Sequence, residues 1–327
     1  MLSGNYWPAH PHPLEDELFS CWIVRLIHAN GLKLQTFCDR ELNKNWQLWN
    51  RDIDRIAPEW LVNTLSQKTG ATLQEVMNST LLSYQGILFN NVRRCGELKW
   101  VMPLGIYHRT RKNFGLQFCP LCLREDQSPY FRKTWRLALF TYCLKHQCML
   151  HEKCPACGSA VIFQRTELGK PKVIDRVELD KCWKCNFCYG DAKINKIEIS
   201  IQNKLNNELQ TLSHTESIEF FNILHHFCKM ICSVSLARKL ENFICKEGNI
   251  EKLDLSEGRI SFERRSLYER HYILTLCNWL IDDWREKVPF AIIKKAVRYN
   301  HLIKDFQDAP LHYSDALKKF NRKIKSN

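Results

Sequence analysis

Four closely spaced ligand pairs lie in series in the middle of the chain. Cys119-Pro-Leu-Cys122 is followed after 20 residues by Cys143-Leu-Lys-His146, and Cys154-Pro-Ala-Cys157 is followed after 24 residues by Cys182-Trp-Lys-Cys185. Two residues between ligands let a tight turn aim two donors at one ion, and two such turns supply the four donors of a tetrahedral zinc site. One CxxC alone would also suit redox chemistry; four pairs in series point to metal. The spacing predicts two zinc ions per chain, one held by three cysteines and a histidine, the other by four cysteines. Cys185-Asn-Phe-Cys188 is a further CxxC, so Cys188 stands as the alternative fourth ligand of the second site. Four protein donors leave no open position for an activated water, so both ions are expected to hold the fold and not to catalyse.

Basic and aromatic residues interleave around these pairs. Arg109, Arg111 and Lys112 precede the first site, and Arg132, Lys133 and Arg136 flank Trp135 between its halves. Lys170, Lys172 and Lys184 lie within the second. Phosphates need positive charge without strict geometry, so the first six are the candidates for nucleic-acid contact. Trp135 and Trp183 are expected to pack. The formal charge of +13 is uneven: residues 1–91 carry −2, residues 92–188 carry +10 and residues 189–327 carry +5. Such a balance favours a polyanionic partner.

Elsewhere the chemistry thins out. Lys294, Lys295 and Arg298 could share one face of a short helix. His225, His226 and Cys228 have loose metal-ligand spacing but lack a second half, which reads as core or surface. Asp282 and Asp283 face different ways on a helix, without a partner acid. No phosphate-cradling glycine loop is present in a chain with only 12 glycines. No catalytic constellation emerges, so an enzyme is not expected.

The elements that position these residues read as mainly α, with small zinc-bound knuckle or ribbon elements. At 327 residues the chain exceeds a single ordinary core. Three domains are expected: a helical, helix-turn-helix-like domain at 1–91, a tandem zinc module at 92–192, and a helical domain at 193–327. The first helix is read from Leu14 to Ala29, with Glu15, Asp16 and Glu17 at the positive end of its dipole and Asn30-Gly31 as a left-handed stop. A second helix spans about 34–42. Pro58 opens a third that ends at Gly70, and Thr72 with Glu75 forms a capping box for a fourth. Further helices are read at 201–212, 216–231, 234–246, 266–284 and 288–299. No run approaches the roughly 18 to 20 apolar residues of a membrane span, and no signal-like start is seen, so a cytoplasmic protein with reduced cysteines is expected.

The stretch FCPLCLREDQSPYFRKTWRLALFTYCLKHQCMLHEKCPACG resembles the zinc-knuckle region of the TniQ/TnsD family of transposon target-selection proteins. PHPLEDELFSCWIVRLIHANGL resembles that family's first helix, and NRDIDRIAPEWLVNTLSQKTG with TLLSYQG its next segment; the likeness runs from about Pro11 to Cys185. The resemblance implies a non-enzymatic adaptor that recognises target DNA, or an RNA-guided CRISPR surveillance complex bound to DNA, and recruits the AAA+ regulator TnsC. It allows a homodimer. It carries the zinc ligands to Cys119, Cys122, Cys143, His146, Cys154, Cys157, Cys182 and Cys185. One departure stands out: Asn186 follows Cys185 where many members place glycine. Tyr6 and Trp7 precede the first helix in a polar arm, and members touch TnsC with this end, which makes the two residues candidate partner contacts. A stand-alone zinc-containing DNA-binding regulator is the competing reading.

Overall fold

The computed structural model describes residues 5–42, 47–93, 95–107, 110–167, 179–196, 201–211, 213–233 and 237–326. Of the residues singled out above, Arg109, Lys170 and Lys172 lie outside them. The chain divides into two compact units, Met1–Gln85 with Asn91–Glu198, and Gly86–Asn90 with Ile199–Asn327. The N-terminal helices and the cysteine-rich stretch both belong to the first unit.

At the heart of the first unit lies α1 (Phe19–Ala29), in which Phe19, Cys21, Trp22, Ile23, Val24, Leu26 and Ile27 are all buried. It starts later than its acidic prelude suggests. Asp16 adopts φ 54° and Leu18 is extended, so the chain turns before the helix begins. Glu17 does not serve the dipole. It is buried, accepts from the Leu14 N–H at 2.9 Å, and binds Arg25 at 2.7 Å. The stop at Asn30-Gly31 is as read, with Gly31 at φ 66°.

Next come α2 (Leu34–Glu41), α3 (Ile53–Ile56), α4 (Glu59–Thr69) and α5 (Leu73–Asn78). Gly70, at φ 76°, closes α4, and Thr72 and Glu75 form the expected capping box on α5. The helical pair exists, but α5 has only six residues. Beyond it the unit is built from short pieces: β1 (Ile106–Tyr107) and β2 (Thr110–Arg111) form one hairpin, α6 (Pro120–Glu125) follows, and β3 (Tyr142–Cys143) pairs antiparallel with β4 (Cys148–Met149).

A buried charge cluster ties these pieces to the helices. Arg136, 0% exposed, donates to Asp52 at 3.0 and 2.7 Å, to Asp54 at 3.0 Å, and to the Met102 carbonyl at 3.1 Å. Asp54 also accepts from the N–H and hydroxyl of Ser20 at the start of α1, at 2.7 and 3.0 Å. One guanidinium thus joins the segment between the first cysteine pairs to α1 and α3.

The second unit is helical: α7 (Ile201–Thr211), α8 (His214–Cys232), α9 (Ala237–Gly248), α10 (Leu267–Ile281), α11 (Trp284–Ile293), α12 (Tyr299–Ile303) and α13 (Leu311–Ser326). Buried Ile273, Leu274, Leu276, Cys277 and Leu280 place α10 in the core, packed on α7, α8, α9 and α11. Capping boxes at Ser213 with Glu216 and at Ser266 with Glu269 start α8 and α10. The helix expected over 288–299 is instead two: α11 begins at Trp284, and the chain breaks at Lys295, whose φ of 57° cannot continue a helix. No described helix is long and apolar enough to cross a membrane.

Candidate metal centres

Three of the four ligand pairs share one backbone device. In each, the N–H four residues after the first cysteine donates to that cysteine's carbonyl: Gln147 to Cys143 at 2.8 Å, Gly158 to Cys154 at 2.8 Å, and Asn186 to Cys182 at 2.9 Å. The donating residue is left-handed each time, with φ of 51°, 68° and 61°. In the second centre the first cysteine's N–H also bonds the carbonyl five residues on, Cys154 to Ser159 at 2.9 Å and Cys182 to Phe187 at 2.8 Å. The turn points both side chains of a pair to one side. The remaining pair uses a helix: Cys119 precedes α6, Pro120 sits in its first turn without losing a hydrogen bond, and Cys122 comes one turn on.

These turns bring together two ligand groups, Cys119, Cys122, Cys143 and His146, and Cys154, Cys157, Cys182 and Cys185. Within each group the ligand atoms all lie within 4.8 Å of one another. Tetrahedral zinc, with Zn–S of about 2.3 Å, sets S···S edges of about 3.8 Å and S···N edges of about 3.5 Å. The first group has Cys122 to Cys143 at 3.6 Å and His146 Nδ1 at 3.3, 3.3 and 3.5 Å from Cys119, Cys122 and Cys143. The second has Cys154 to Cys185 at 3.6 Å and Cys157 to Cys182 at 3.7 Å. Both donor sets fit one zinc ion each.

The surroundings prepare the ligands. His146 presents Nδ1 to the sulfurs while its Nε2 lies 2.9 Å from Glu125 on α6, the carboxylate–imidazole arrangement that orients metal-bound histidines. Glu125 also binds Lys145 at 2.9 Å. Hydrogen bonds from Cys119 and then Cys122 bring Cys143 down to about 2. At the second centre burial opposes ionisation of Cys182, but the Ser159 hydroxyl at 3.3 Å and the N–H groups of Cys185 and Lys184 bring it down to about 6.

Cys188 stands apart. Its thiol donates to Asp180 at 3.4 Å, and burial pushes its pKa up. The fourth donor that converges is Cys185. The sequence reading passed over Cys148, which is buried, sits opposite Cys143 in the β3–β4 hairpin, and places its sulfur 3.8 Å from Cys119. Its position five residues after Cys143 was the available signal. His225, His226 and Cys228 do not converge: His225 binds Glu263 at 2.7 Å, His226 stacks on Phe306, and Cys228 lies 3.6 Å from Cys277.

The candidate phosphate contacts are mostly engaged inside the protein. Arg136 is fully enclosed by Asp52 and Asp54. Lys133 is buried and donates to the Asn78 carbonyl and to Ser83 at 2.8 Å, and burial lowers its pKa. Arg132 grips Asp126 through two bonds of 2.6 Å and lies over the rings of Tyr130 and Trp135. Arg111 donates to the Val161 carbonyl at 2.7 Å, and burial brings it down to about 10. Lys112 is exposed, its ammonium 4.5 Å from the Tyr107 ring. A basic residue next to a buried acid reads, in one dimension, like a basic residue on a surface.

The N-terminal arm is folded back as well. Trp7, 1% exposed, bonds the Lys68 carbonyl through its N–H at 2.9 Å, reaches Glu41 with its indole N–H at 3.2 Å, and meets Phe37 edge-on. It is a core residue, because Phe37 of α2 supplies an apolar contact that the polar arm itself lacks and α4 accepts its backbone N–H. Tyr6 remains 53% exposed, its ring over Gly70 and stacked on His10.

Helices packed around paired cysteine turns bring together two groups of four donors, each of which could hold one zinc ion. Residues 8–150 match the TniQ family model. The matched range includes the first ligand group, Cys119 to His146; the second group and residues 199–327 lie outside it. In general terms the match associates the chain with target selection in transposition. No curated protein matches the chain.

Proposed function

We propose that this chain is a target-selection adaptor of DNA transposition, one that recognises a target DNA or a DNA-bound CRISPR surveillance complex and recruits the AAA+ regulator TnsC. The observation that carries the reading is the match to the TniQ family model over residues 8–150. The two ligand groups support it, because an adaptor needs a rigid scaffold more than a reactive centre. One zinc ion in each group supplies that rigidity: its binding energy becomes folding energy, on the order of 10–16 kcal/mol for structural sites in zinc-finger peptides. Closed four-donor sites leave no place for a metal-activated water, which fits a role without catalysis.

Recruitment of TnsC is assigned to the N-terminal surface around Tyr6. With Trp7 locked into the core, Tyr6 is presented from a fixed position beside Gly70, and a held aromatic ring loses little freedom on binding. The test is targeting in cells. With transposase and TnsC supplied, adding this chain concentrates insertions at one class of site; insertions distributed identically with and without it overturn the reading.

A further inference from the structure

The second unit carries its positive charge at one end. Residues 199–283 hold 10 basic and 12 acidic side chains, whereas residues 284–327 hold eleven lysines and arginines against four acids, a net of +7. That stretch forms α11, α12 and α13, with α13 packed on both of the others. Its cations differ in kind from those of the first unit. Arg136, Arg132 and Lys133 are turned inward, but Arg285, Lys294, Lys295, Arg298, Lys304 and Lys319 are all exposed, and none forms an ion pair among the described residues. Cations held free of acids keep their charge for an external partner.

Between α11 and α13 runs a cleft of about 360 Å³ whose charged lining is Arg285 and Lys319 with the single acid Glu286, beside Trp284, Pro289 and Phe320. Arg285 lies 5.6 Å from the Trp284 ring and Lys294 5.4 Å from the Phe290 ring, so aromatic faces hold two of the cations in place. The break at Lys295 puts Lys294, Lys295 and Arg298 on a tight corner between α11 and α12, not on one helix face. Ten residues of α11 span about 15 Å, comparable to the rise of four to five base pairs at about 3.4 Å each.

We propose that the α11–α13 end of the second unit is a nucleic-acid-binding surface that grips the phosphate backbone of duplex DNA without reading its sequence. Exposed cations on a corner and along a cleft meet phosphates because phosphate contact needs charge and reach, not a fixed pocket. The assignment deepens the adaptor reading by naming its DNA-facing surface, and it moves that surface from the middle of the chain to the end.

The test measures binding of the full chain to a random-sequence 30-base-pair duplex across 50–300 mM salt. Six phosphate contacts give a log–log slope of about −5, at about 0.9 per contact. Lys294→Ala, Lys295→Ala and Arg298→Ala combined should lower affinity at least tenfold and make the slope shallower by about 2–3. Arg285→Ala with Lys319→Ala, on different helices, is the second variant and should act in the same direction. Unchanged affinity and slope in both variants overturns the proposal. So does equal binding of poly-glutamate at the same salt, which would mark an acidic-protein surface. Duplex binding and TnsC association are separate readouts: loss of TnsC association with intact duplex binding breaks the adaptor reading alone.

Discussion

Gly158 and Asn186 hold the same backbone position in the two halves of the second metal centre, one residue after Cys157 and Cys185, with φ of 68° and 61° and the same N–H bond back to the first cysteine. The turn needs a left-handed residue at this point. Glycine adopts that conformation without strain, and asparagine is one of the few other residues that does so at low cost. The departure at Asn186 therefore preserves the geometry of Cys185. Asn186→Gly should leave the melting temperature of the zinc-loaded protein unchanged or slightly higher. Asn186→Val should destabilise it by about 1–2 kcal/mol, measured by thermal or denaturant unfolding.

The same relationship separates Cys185 from Cys188. Cys185→Ser should reduce metal content from two zinc ions per chain to about one, whereas Cys188→Ser should keep two. Elemental analysis of the purified variants decides between them, and the reverse pattern would put Cys188 in the site.

Much of this was legible in one dimension. Ligand spacing picked out the eight side chains that converge, because a CxxC turn is a local object whose geometry depends on few residues. The capping boxes at Thr72 and the stops at Gly31 and Gly70 are local for the same reason. The fate of the basic residues was not legible. Arg136 depends on Asp52 and Asp54, more than 80 residues earlier, and no local pattern announces such a partner. Trp7 depends likewise on α2 and α4, and Lys295 breaks a helix whose residue types alone would continue it.

Arg136 gives a stability prediction. Arg136→Met leaves the buried Asp54 and the half-buried Asp52 without their cation, which should cost about 3–5 kcal/mol. Adding Asp52→Asn and Asp54→Asn to it should recover part of that loss, because the uncompensated charges go with the carboxylates. Chemical denaturation of the three proteins measures both steps. A single variant as stable as the parent would show that the cluster is not closed.

Tyr6 and Trp7, adjacent in sequence, should behave oppositely. Trp7→Ala removes a buried indole and should destabilise the first unit by about 3–5 kcal/mol, seen as a lower melting temperature. Tyr6→Ala should leave the melting temperature within the range of a surface change, about 0.5 kcal/mol, and weaken TnsC association.

The most direct measurement of the central claim is association of the full, zinc-loaded chain with its cognate AAA+ regulator, read by pull-down with and without ATP. The ATPase should be retained by the parent chain and by the α11–α13 variants, and held more weakly by Tyr6→Ala. Absence of association in both nucleotide states, with two zinc ions present and the fold intact, would contradict it.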